Sequence, residues 1–119
     1  MIQEDYISFD TAKLLKEKGF NEATYHDYDE KGRRWFEEVL VCHNSQGGIA
    51  CPTLQMAMKW LRDIHGLFIH IDVIREASCW LADIQDIKED VNIYPVEEDF
   101  PNYEQACEAG IKYCLTNLV

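Results

Sequence analysis

Basic side chains are scarce in this chain. Eleven lysines and arginines stand against 22 aspartates and glutamates, a formal net charge of −11. Such a surface repels nucleic acid and anionic membranes, so neither is an expected partner, whereas a basic partner would be attracted. The deficit is uneven: residues 1–62 carry 8 basic and 10 acidic side chains, and residues 63–119 carry 3 and 12. No apolar run approaches the ~20 residues that a membrane helix needs. The opening MIQEDYISFD has no basic stretch followed by an apolar one, so no secretory leader is read there. The Gly47-Gly48 pair has no Lys-Ser/Thr after it, which excludes a P-loop. The five cysteines, Cys42, Cys51, Cys79, Cys107 and Cys114, are odd in number, and they predict reduced thiols in a cytoplasmic chain.

What is present is enough for a folded domain. The 119 residues are 47% hydrophobic, with 3 Trp, 6 Tyr and 5 Phe, which argues against disorder. The length suits a single domain over 1–119.

The chain is organised around Pro52 to Ile74. Thr53 is an N-cap, and Leu54, Ala57, Met58, Leu61, Ile64 and His65 follow at helical spacing. Gly66 is a helix stop. The period then changes to two: Leu67, Ile69, Ile71 and Val73 point one way, and Phe68, His70, Asp72 and Ile74 the other.

The same plan recurs on either side. Ser8 caps a helix with an apolar face of Phe9, Ala12, Leu14 and Leu15, ended by Gly19. Residues 22–28 predict a strand, 29–32 a turn, and 33–42 a returning strand. Both parities of that strand are largely apolar, which predicts a central position covered on both faces. Residues 43–51 read as a loop. After the organising strand, Arg75-Glu76-Ala77 is a turn and 78–87 the partner strand, with Trp80, Ala82 and Ile84 on one face. An acidic connection, 88–100, holds a short edge strand at Val91–Tyr94. Asn102 then starts a final helix striped by Tyr103, Cys107, Ile111, Cys114 and Leu118.

Three segments share a cap, a large apolar residue, two variable positions and alanine: Ser8–Ala12, Thr53–Ala57 and Asn102–Ala106. Repeat units therefore run over about 8–50 and 53–100, with the final helix at 102–118. Two units are too few for a solenoid. The expected fold is α+β and two-layered, in the order α-β-β-α-β-β-α: an antiparallel sheet of about four strands with three helices on one face.

The segments YISFDTAKLLKEKGF, IACPTLQMAMKWLRDIHGLFIHID and YEQACEAGIKYCLTNLV resemble a family of small proteins of unknown function from Bacteroides genomes, some in phage-like or mobile regions. The resemblance covers the three helices and the strand at 67–73, about half the chain. It implies a cytosolic bacterial or phage protein and carries no activity, cofactor or catalytic residue.

Candidate chemistry is sparse. Cys42, His43, Cys51, His65, His70 and Cys79 are the possible metal ligands, but their spacing lacks the tight pairs of structural zinc sites, so no metal or cofactor is expected. Cys51 lies two residues before a helix start, which lowers a thiol's pKa, and His26, His43 or His70 would be its base. No local signature supports that nucleophile. Asp83, Asp86, Glu89, Asp90, Glu97, Glu98 and Asp99 would make an anionic patch mimicking nucleic acid, against the plainer reading of a solvated loop. Met56 and Trp60 widen the organising helix's apolar face, either as a contact surface or as core.

The expectation is an acidic cytosolic protein, non-enzymatic, that binds another protein or itself. Its speculative interaction surface is Met56, Trp60, Phe68, His70, Asp72, Glu97, Glu98 and Asp99. The alternative is a small-ligand-binding protein or an enzyme using a Cys/His site.

Overall fold

A computed structural model describes residues 1–93 and 98–119. Tyr94 of the expected edge strand and Glu97 of the expected surface lie outside the described residues. The chain forms two compact units, Met1–Met56 and Ala57–Val119, and passes from one to the other within a helix.

The first unit contains α1 (Phe9–Glu17), β1 (Thr24–Tyr28), β2 (Arg34–Val41), a 3₁₀ turn (His43–Gln46) and β3 (Ile49–Ala50). Ser8 caps α1, its hydroxyl accepting from the Thr11 amide at 3.3 Å. Thr11, Ala12 and Leu15 are the buried face of that helix. They share the core with Ile7, Phe20, Ala50 and Cys51. The antiparallel sheet has the order β2-β1-β3, and α1 packs on β3.

The organising helix, α2 (Leu54–His65), begins in the first unit and continues in the second. Thr53 caps it as expected, accepting from the Met56 amide at 3.1 Å. Leu54, Ala57 and Leu61 are buried as the stripe requires, whereas Ile64 is exposed and Trp60 is buried.

The second unit continues with β4 (Leu67–Ile74), β5 (Cys79–Asp86), β6 (Val91–Ile93) and α3 (Tyr103–Tyr113), which runs into a π-helical turn at Cys114–Leu118. Gly66 ends α2 with a positive φ of +67°, and its carbonyl accepts from Ile87 at 2.8 Å. The β4–β5 hairpin lacks a glycine because Ser78 takes the left-handed conformation, with φ +52°. β4 and β5 pair without interruption from Leu67–Asp86 to Ile74–Cys79. One face carries Leu67, Ile69, Ala82 and Ile84, all buried. α3 packs on both strands and contributes Ala106, Cys107, Gly110 and Ile111. Asn102 caps α3, accepting from Gln105 N–H at 2.8 Å.

Three expectations need correction. Among the described residues the strands form two sheets of three, not one of about four. The middle strands β1 and β5 each have both edges paired, so neither sheet grows through its centre. The helices are divided accordingly, α1 on β3 and α3 on β4 and β5. β2 is an edge strand, exposed at every position from Arg34 to Leu40, not a covered central one. The segment 43–51 is not all loop. Asn44 ties it down, donating to the Phe20 carbonyl at 2.7 Å and accepting from the Ala50 amide at 2.8 Å, which sets β3 beside β1.

Gly110 is where α3 comes closest to its sheet. A Cβ there would lie 2.8 Å from Ile69 Cγ2 and 3.5 Å from Ala82 Cβ. Gly110→Ala is expected to destabilise the chain by about 1–3 kcal/mol despite alanine's better helix propensity, because Ile69 must move. Urea unfolding monitored by circular dichroism measures it.

Candidate functional site

The largest group of exposed apolar side chains in the first unit lies along β2 and its neighbour. Tyr25, Trp35, Phe36, Val39 and Leu40 are 48%, 54%, 64%, 65% and 55% exposed. Isolated apolar residues on a surface need no explanation, but several on one edge strand and its neighbour make a candidate contact.

The hairpin that presents this set is built around Asp29. Its Oδ1 accepts from the Lys31 and Arg33 amides, both at 2.9 Å. Its Oδ2 accepts from Arg33 Nε at 2.7 Å and from the Trp35 indole at 2.9 Å. These donors, the indole first, hold the carboxyl well below the usual carboxylate range. The Arg33 guanidinium lies 5.7 Å from the Trp35 ring centroid. One face of Trp35 is thereby fixed while the rest stays in water.

Phe36 points to the other face of the sheet, paired with His26. Its ring is 5.3 Å from His26, which lies 4.5 Å from Tyr6. The Arg34 guanidinium covers Tyr6 at 4.2 Å. Burial and the Arg34 charge hold the His26 pKa below its ordinary value. Tyr28 fixes this face from behind, its hydroxyl donating to the Ile7 carbonyl at 2.6 Å. Between the Thr24–Val41 and His26–Phe36 pairs, β1 has Tyr25 alone and β2 has Glu37, Glu38, Val39 and Leu40. This bulge turns the four residues out of the regular ladder, Val39 and Leu40 among them.

Of the surface read from the sequence, three residues do share one face. Phe68, His70 and Asp72 lie on β4, with the Phe68 and His70 rings 4.3 Å apart. Asp83 joins them from β5, directly opposite His70. Burial first, then the charge and a hydrogen bond of Asp72, raise the Asp83 pKa. The remaining members do not collect there. Met56 is exposed, but Trp60 is 6% exposed and edge-on to His65 at 4.7 Å, so it belongs to the core and not to a contact surface. Glu98 and Asp99 are exposed; burial first, and then the Asp99 carboxylate, raise the pKa of the Cys79 thiol. Asp86 caps its own turn, accepting from the Lys88 and Glu89 amides at 3.0 and 3.2 Å.

The cysteines and histidines are dispersed. Cys51 is 1% exposed, with Sγ 3.9 Å from the Ile7 carbonyl. Burial pushes Cys114 up to about 12. His43 is buried, its Nε2 3.2 Å from the Thr24 carbonyl and its Nδ1 3.8 Å from Asp27. Among the described residues, no three His, Cys, Asp or Glu side chains are grouped to hold a metal ion. No helix of the described residues is long and apolar enough to cross a membrane.

The β2 surface was missed in the sequence because two apolar parities suggested burial. The signal against it was present: Arg33-Arg34 and Glu37-Glu38 flank Trp35-Phe36, and four charges are costly in a strand covered on both faces.

Two carboxyls should respond to pH with opposite signs. The folded pKa of Asp29 lies below its unfolded value. Its stabilisation is full above the ordinary 3.8 and is lost as the pH falls through the folded value. Asp29→Asn should therefore lower the urea midpoint at pH 7, and the gap to the parent should close only in strong acid. The folded pKa of Asp83 lies above 3.8, so its cost appears as the pH rises from that value through the folded one. Asp83→Asn should raise the midpoint at pH 7 and leave it unchanged in acid. Denaturation curves at stepped pH check both.

No protein-family model, curated protein or solved structure matches this chain, and the functional reading therefore rests on the surface itself.

Proposed function

We propose that this chain is a non-enzymatic interaction protein that docks another protein on β2. The observation that supports this reading most is the row of Tyr25, Trp35, Phe36, Val39 and Leu40 on an edge strand and its neighbour, none of them less than 48% exposed. Edge strands are blunted with charge, bulges, proline or short length, and β2 has the charges of Arg34, Glu37 and Glu38 and a bulge. It nevertheless also keeps two aromatics and two aliphatics in water, beside an arginine stacked on a tyrosine. Aromatics and arginine are the residue types that dominate interface energetics. The net charge of −11 favours a protein over a nucleic acid as the partner.

The alternative, a Cys/His enzyme, has less support. A reactive cysteine needs an accessible thiolate, and Cys51 is buried. The five cysteines are free thiols, which supports a reducing, cytosolic setting. The acidic stretch supports an electrostatic contact less well, since Asp86 already serves local hydrogen bonds.

Affinity capture with the intact chain tests the reading at low and at high salt. A partner held by apolar contact survives high salt, whereas one held by exposed charge is lost. Phe36→Ser and Leu40→Ser should each weaken a salt-resistant partner by about tenfold or more, the size expected for a central anchor. Capture that is indifferent to both substitutions would overturn the reading.

A further inference from the structure

The order of charges running into β2 points to a partner. Arg33 and Arg34 precede the ring pair Trp35-Phe36, and Glu37 and Glu38 follow it. Reversing the direction of this segment exchanges its cations for its anions. An antiparallel copy of the same segment is therefore its electrostatic complement, whereas a uniformly basic or acidic partner would meet repulsion at one end.

The backbone supports the same arrangement. The Asp29 amide donates to the Arg33 carbonyl at 2.9 Å, so Arg33 turns its main-chain groups toward β1. Alternation along an antiparallel strand then directs those of Arg34 and Phe36 to the free edge. A two-fold axis perpendicular to the sheet keeps paired residues on one face. Centred on Phe36, it sets Phe36 against Phe36 and brings Arg34 of each copy to the end of the other's segment, where Glu38 leaves the ladder. Arg33 is already committed to Asp29 at 2.7 Å, and among the described residues Arg34 carries no such ion pair. Among the described residues Glu37 and Glu38 have no ion-pair partner either. The segment 29–41 holds 3 basic and 4 acidic side chains, so two copies of it bring little net charge together.

We propose that the protein docked on β2 is a second copy of this chain, antiparallel about Phe36, with Arg34 of each copy paired to Glu38 of the other. This rests on the reading of β2 as a docking surface and names its occupant. The bulge at Glu37–Leu40 limits the shared ladder to a few residues. The contact is then carried by rings and charge pairs more than by a continuous sheet, and it stops at a dimer instead of extending into fibres.

Sedimentation velocity on the intact chain, across a concentration series, tests this through a charge swap. The parent should show a concentration-dependent dimer. Arg34→Glu and Glu38→Arg should each weaken it by about tenfold or more, since like charges then face each other twice. The first variant is acidic at both positions and the second is basic at both. In a heterodimer of the two, both contacts are again opposite in sign. An equimolar mixture should therefore regain the parent's dimerisation as a 1:1 heterodimer, with circular dichroism reporting that each variant is folded. A parent that stays monomeric, a dimer indifferent to both substitutions, or a mixture that fails to associate would each overturn the proposal. If the parent is monomeric and Phe36→Ser still abolishes capture of another protein, the second copy is excluded and the docking surface stands.

Discussion

In the second unit the determining contact is the seat of α3 on β4 and β5. Ile69 and Ile84 face each other across the ladder, and Ile69 meets the helix where Gly110 has no side chain. The close approach buries Ala106, Cys107 and Ile111 against one sheet face. Burial of apolar surface at this density supplies most of a small domain's stability. It also determines what the opposite face must be. With one face of the pleat covered, the alternate residues Phe68, His70, Asp72 and Asp83 are turned the other way. The carboxyl pair on that face, with the raised pKa of Asp83, follows from the ladder's register.

The first unit has a different anchor. Its sheet has one long strand at the edge and a two-residue strand at the other side. Polar side chains do much of the positioning. Asp29 closes the hairpin with four donors, and Asn44 joins Phe20 to Ala50. Lys16 adds a bond to the Gly48 carbonyl at 2.6 Å. Because these bonds fix the turns and leave most of the outer strand's side chains unconstrained, β2 carries its apolar residues in the open. An edge strand with exposed rings is stable in water only at a cost in hydration, and contact with a partner removes that cost.

Helix starts and stops were legible in the sequence by itself. Ser8, Thr53 and Asn102 each cap as their side chains allow, because a cap involves only the first turn. The facing of β4 and β5 was equally legible, since a period of two is a local property of an extended chain. Tertiary structure decided the rest. The residues of β2 read as a central strand, but pairing partners and not composition set a strand's place in a sheet, and β1 had only one more edge to offer, which β3 occupies. Ile64 of the expected stripe is exposed and Trp60, open between core and contact surface, is buried, because burial depends on what lies opposite a helix, which its own sequence does not record. Asp83 became a neighbour of Asp72 only when the β4–β5 register aligned two residues 11 positions apart in the chain.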